Sequence, residues 1–95
     1  MRSPEGYEKD AIKAFLKTVD CWHFSPFMKG FGKNGVPDIV GCYKSQFFSI
    51  EVKREGAKPT PIQQRRMKEI SDAGGRTFCG TAEVVIDAFK RAFGG

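Results

Sequence analysis

With 95 residues, 40% hydrophobic and 28% charged, the composition is that of a folded globular chain rather than a disordered tail. The length leaves room for one domain, residues 1–95, with one modest core and no second domain or long lid. Sixteen Lys and Arg against eleven Asp and Glu leave a formal charge of +5, which favours a polyanionic partner such as nucleic acid; no apolar run approaches membrane-spanning length, the first residues lack a signal-peptide core, and a cytoplasmic protein is expected.

Ser3 suits a helix N-cap, Pro4 the first helical position and Glu5 the positive end of the helix dipole. Ile12, Phe15, Leu16 and Val19 continue at helical spacing, and the same stripe extended backwards reaches both Glu5 and Glu8. One of the two is expected at the edge of the buried face, and the ordinary alternative is a dipole partner at Glu5 and a solvated Glu8. Cys21-Trp22-His23-Phe24 reads as a short strand ending at Ser25-Pro26. His23 is the sole histidine, which excludes chemistries needing a histidine pair within one chain. Cys21, Cys42 and Cys79 are odd in number, widely spaced and without zinc-type spacing, so reduced, buried thiols are expected.

Met28 to Gly35 carries three glycines and two lysines and reads as a flexible loop. It leads into a hairpin with Gly35-Val36-Pro37-Asp38-Ile39-Val40 running out and Phe48-Ser49-Ile50-Glu51-Val52-Lys53 running back. Residues two apart share a face of a strand, so Ser49, Glu51 and Lys53 point one way and Phe48, Ile50 and Val52 the other. If the arms turn at Lys44-Ser45, Asp38 stands opposite Glu51, with about 5 Å between Cβ atoms. A slip of one residue would put the two carboxylates on opposite faces. Carboxylates held that close repel by about 4 kcal/mol at 4 Å and an effective dielectric of 20, and Lys53 offsets only part of it. A hard divalent cation resolves the conflict, because Mg²⁺ is commonly held by one or two carboxylates with water and phosphate completing its shell. The hairpin therefore reads as a site for metal-assisted phosphodiester hydrolysis.

Thr60-Pro61-Ile62-Gln63 combines an N-cap, a first-turn proline and a capping-box glutamine. Gln63, Met67 and Ile70 form the inward stripe of this helix, so Gln63 is either a cap or a polar group beside the metal site, and the two are compatible. Gln64, Arg65, Arg66 and Lys68 flank it, and Ala73-Gly74-Gly75 ends it. Arg76 to Gly80 reads as a last strand. Thr81 caps a final helix whose stripe of Ala82, Val85, Ile86, Phe89 and Phe93 covers the sheet or, alternatively, forms a subunit contact. The strand, helix, strand passage requires a crossover, so the expected fold is α/β with a mixed central sheet in α-β-β-β-α-β-α order.

Pro4-Glu5-Gly6, Gly35-Val36-Pro37-Asp38, Ile50-Glu51-Val52-Lys53, Pro61-Ile62-Gln63 and Ala73-Gly74-Gly75, in that order, resemble the PD-(D/E)xK nucleases. Within that superfamily the set is similar to the small stand-alone virus-type replication-repair nuclease (VRR-NUC) domains of phages and bacteria. The resemblance covers Ser3 to about Gly80 and implies a restriction-endonuclease-like core. It implies that Asp38 and Glu51 bind Mg²⁺, with Mn²⁺ as a substitute, and that the Val52 carbonyl is a backbone ligand. Lys53 would orient the attacking water and stabilise the pentacovalent phosphate, and Gln63 would be the family's helix glutamine. Glu5 matches the first-helix acid best and Glu8 is the reserve. Lys29, Lys33, Arg54, Lys58, Arg65 and Arg66 are the expected nucleic-acid contacts. The resemblance further implies a homodimer cutting branched DNA, four-way (Holliday) junctions above all. The alternative from another class is a non-catalytic, basic nucleic-acid-binding module on the same fold.

Overall fold

The structure, a computed structural model, describes residues 3–26 and 34–94. The first helix, α1 (Pro4–Thr18), begins where the Gly6 N–H donates to the Ser3 hydroxyl at 3.0 Å, as the N-cap signal requires. A short strand β1 (Trp22–Phe24) follows, then β2 (Ile39–Tyr43) and β3 (Gln46–Val52). Helix α2 (Pro61–Asp72), strand β4 (Arg76–Gly80) and helix α3 (Ala82–Ala92) complete the order read from the sequence.

The four strands form one mixed sheet in the order β1-β2-β3-β4, antiparallel except for the β3–β4 pair, which is parallel because α2 carries the chain back to the same end. The β2–β3 turn falls at Lys44-Ser45, with Tyr43 paired to Gln46. Both turn residues are left-handed, at φ 49° and 67°, although neither is Gly or Asn. The apolar arms on either side therefore set the register against the local preference of the turn. The outgoing arm is shorter than expected. Gly35 to Asp38 precede β2 rather than forming part of it, since Pro37 has no N–H to give a ladder.

Phe48, Ile50 and Phe78 face α1 and α3, and the Phe48 ring meets that of Phe89 edge-on at 5.3 Å. Ile12, Leu16, Ile39, Phe48 and Ile50 are wholly buried, each worth about 1.5–3 kcal/mol over exposure. The apolar stripe of α3 thus covers the sheet, with Val85 and Phe89 at its centre. Helix α2 lies on the opposite face, over β3 and β4, and leaves Trp22, Phe24 and Phe47 exposed. Its Gln63, Met67 and Ile70 are half-buried rather than core. Among the thiols, Cys21 is buried and Cys79 half-buried, but Cys42 is exposed because its parity on β2 points it away from the α1–α3 side. The expectation of three buried thiols is corrected there. No helix of the described residues is long and apolar enough to cross a membrane.

Candidate active site

Asp38, Glu51 and Lys53 meet at the end of the β2–β3 hairpin, where α2 begins. Glu51 is 3% exposed and Lys53 8%, so both ionisable groups are removed from bulk water. Asp38 sits just before β2 and straddles its partner strand. Its N–H donates to the Ile50 carbonyl at 3.1 Å, and its Oδ2 accepts the Val52 N–H at 2.8 Å. The ladder register continued by one step would set Asp38 squarely opposite Glu51; instead its backbone is tied to the residue before Glu51 and its carboxylate to the residue after. The two side chains still interact. Burial first, then the Asp38 charge and a hydrogen bond with Asp38, push the Glu51 carboxyl up to about 8, and Lys53 opposes this only in part while Glu5 adds to it.

Gln63 holds this arrangement from α2. Its Oε1 accepts the Thr60 N–H at 2.8 Å while its own N–H donates to Thr60 Oγ1 at 3.2 Å, closing the capping box. The same amide's Nε2 donates to Glu51 Oε1 at 2.9 Å. The two roles open in the sequence are therefore held at once, and the cap fixes which end of the amide faces Glu51.

The two candidates on α1 separate. Glu8 Oε1 accepts the Ala82 N–H at 2.8 Å and so caps the first turn of α3, a structural bond across 74 residues. It is neither solvated nor part of the carboxylate cluster. Glu5, one turn earlier, acts on Glu51 through its charge. The loop bearing Asp38 is braced by Gly35, whose φ of 73° and whose approach to Ile62 exclude a side chain: a Cβ there would stand 2.9 Å from Ile62 Cγ1. It is braced also by Arg66, whose Nε donates to the Asn34 carbonyl at 2.9 Å and whose Nη1 pairs with Glu69 at 3.0 Å. Arg66, expected to touch nucleic acid, is thus committed to holding this loop on α2. Arg54, Lys58 and Arg65 are exposed. Lys29 and Lys33 lie outside the described residues.

A cleft of about 430 Å³ opens onto the cluster, lined by Lys9, Asn34, Gly35, Pro37, Asp38 and Gln63 among others. Two of the site's neighbours were not singled out in the sequence. Lys9 on α1 is one, and Cys79, registered beside Glu51 on β4, is the other. Burial, then the Glu51 charge, raise the Cys79 thiol above its ordinary value. A parallel pair joined through a crossover leaves no local pattern from which the Glu51–Cys79 register could be read.

The donor set suits a hard divalent cation. Among the described residues no three His, Cys, Asp or Glu side chains converge to hold an ion by themselves. Two carboxylates with open positions for water and phosphate are the usual provision for Mg²⁺, and such an ion would take the place of the proton that burial and the Asp38 charge favour on Glu51.

No family model matches the chain, and no curated protein does. Among solved structures the chain is similar to one described as "VRR_NUC domain", with a TM-score of 0.80 at 21% sequence identity, over 94% of this chain and 97% of that one. The likeness is one of fold, here an α/β mixed four-stranded sheet in α-β-β-β-α-β-α order.

Proposed function

We propose that this VRR_NUC-like fold is a divalent-metal-dependent endonuclease that hydrolyses phosphodiester bonds in structured DNA, four-way junctions first among them, as a homodimer. The observation that carries the reading is geometric: Glu51, 3% exposed, is held by Gln63 Nε2 at 2.9 Å beside Asp38, whose carboxylate is tied to the Val52 N–H at 2.8 Å, so two acids are kept together away from bulk water with Lys53 buried next to them. A catalytic metal gives that cost a purpose.

Asp38 and Glu51 would hold Mg²⁺, or Mn²⁺ in its place, with the Val52 carbonyl as a backbone ligand. When bound, such an ion lowers the pKa of a coordinated water and offsets charge on the phosphate. Gln63 keeps one Glu51 oxygen in place through its Nε2. Lys53 orients the attacking water and stabilises the charge that develops on the pentacovalent phosphate, an electrostatic task favoured by its burial. Glu5 is the first-helix acid and adds a further carboxylate to the cluster's charge. The exposed Arg54, Lys58 and Arg65 supply phosphate contacts outside the cleft, and Lys29 and Lys33 are further candidates for such contacts. The formal charge of +5 supports a DNA partner, and the exposed Trp22, Phe24 and Phe47 offer a surface a second copy would cover.

The decisive experiment incubates the purified protein with four-way junction and linear duplex DNA in Mg²⁺ or EDTA. Junction cutting that needs metal and falls by about 10²–10⁴-fold in Asp38→Asn and Lys53→Ala is the expected result. Metal-independent cutting, or equal cutting by those variants, would remove the mechanism. A strict monomer at micromolar concentration would remove the paired-cut arrangement alone.

A further inference from the structure

A divalent ion at Asp38 and Glu51 would meet the phosphate to be cut, but the neighbouring phosphates of the strand need positive groups of the chain's own beside the acids of the cleft. Lys53 is buried at the hairpin end, and its charge is already drawn into the balance on Glu51. On α2, Arg66 is paired with Glu69 and Lys68 with Asp72, and the exposed Arg65 is not among the residues that line the cleft. Among the described residues, Lys9 is the cation that lines the cleft.

Lys9 stands one helical turn after Glu5, on the face of α1 from which the Glu5 charge reaches Glu51. A Glu at i and a Lys at i+4 commonly pair along a helix, yet Lys9 forms no ion pair among the described residues, and it does not act on Glu51. It is half-buried and lines the same cleft as Asp38 and Gln63, as a long side chain does when its stem lies along the protein and its charge stays in water. A lysine without an ion pair among the described residues, lining the same cleft of about 430 Å³ as Asp38 and Gln63, has the chemistry of an anion contact.

We propose that Lys9 is the phosphate-positioning residue of this cleft: it holds the backbone phosphate next to the one presented to Asp38 and Glu51, and so fixes the register of the strand to be cut. This inference rests on the nuclease reading, and its test separates the two. Binding is measured in the cleavage-dead Asp38→Asn protein, with and without Lys9→Gln, over a range of salt concentrations. Lys17→Gln, which removes the same charge from the exposed last turn of α1, is the control. Lys9→Gln should weaken DNA binding about tenfold, the scale of one charge-assisted hydrogen bond, and lower the salt slope by about 0.9. Lys17→Gln should do neither, and Lys9→Arg should restore both. A single neutral methylphosphonate next to the scissile position should weaken the Lys9 protein about tenfold and leave Lys9→Gln unchanged. In the cutting protein, Lys9→Gln should raise KM more than it lowers kcat. Equal losses for Lys9→Gln and Lys17→Gln, or undiminished methylphosphonate sensitivity in Lys9→Gln, would overturn the assignment. DNA binding that depends on Lys9 in a wild-type chain that never cuts would overturn the nuclease reading and leave this contact standing.

Discussion

Gln63 is the residue on which helix capping and site geometry converge. One amide closes the α2 capping box with its oxygen and anchors Glu51 with its nitrogen, so helix stability and carboxylate position are coupled through a single side chain. Gln63→Ala should cost about 1 kcal/mol from the lost cap, measured by denaturant unfolding. Mg²⁺ affinity and cutting should fall about 10–100-fold, the usual price of removing a group that orients a metal ligand. Gln63→Glu keeps an oxygen for the Thr60 N–H but offers Glu51 no permanent donor. It should recover the helix term and not the activity, a split that a purely structural glutamine would not produce. Both halves of this role were readable as separate possibilities from Thr60-Pro61-Ile62-Gln63. Their union was not, because it needs the tilt that brings the first turn of α2 to the end of β3. Glu8 shows the reverse: its helical spacing made it a site candidate, and the structure spends it on the first turn of α3.

Among the elements, the β2–β3 hairpin carries the most tension. Its two-residue turn puts Lys44 and Ser45 in the left-handed region, which costs a residue with a Cβ about 1–2 kcal/mol over glycine. Ser45→Gly should therefore stabilise the protein by about 1 kcal/mol and raise Tm, with cutting unchanged because the register is already held by the arms. Lys44 is the poorer choice, since its Nζ donates to the Phe93 carbonyl and links the turn to the end of α3. A Ser45→Gly protein with lower Tm would mean that the turn, rather than the apolar arms, sets the register.

For the molecule as a whole, a buried acid that holds its proton makes stability depend on pH in a definite direction. Glu51 ionises near 4.5 in the unfolded chain and at about 8 in the folded one. Between those values the folded protein binds a proton that the unfolded chain has released, so metal-free stability falls as pH rises through that window, by at most about 1.4 kcal/mol per unit. Below it both states are protonated and the loss is absent; above it the loss is complete. A divalent ion at Asp38 and Glu51 would displace the proton, so Mg²⁺ should raise Tm more at pH 8 than at pH 5.5. Glu51→Gln should flatten the metal-free profile and abolish the Mg²⁺ effect. Thermal unfolding at the two pH values, with Mg²⁺ and with EDTA, measures all of this. A metal-free Tm that rises with pH in the same way in the native protein and in Glu51→Gln would show that Glu51 does not hold its proton in the folded chain.

What the sequence determined by itself was everything carried by local chemistry. The caps at Ser3, Thr60 and Thr81 set the helix starts, the period-two pattern set the strand faces, and the order of elements together with the crossover required a mixed sheet. The Asp38, Glu51, Lys53 and Gln63 cluster was legible for the same reason, since charged residues inside β-branched arms are conspicuous wherever the arms pair. The tertiary structure alone decided which α1 acid approaches Glu51, that Arg66 braces the Asp38 loop, that Lys9 lines the cleft and that Cys79 lies beside Glu51. Each of these contacts joins segments far apart in the chain. Their geometry follows from how α1 and α2 seat on the sheet, and no periodicity within either helix encodes that seating.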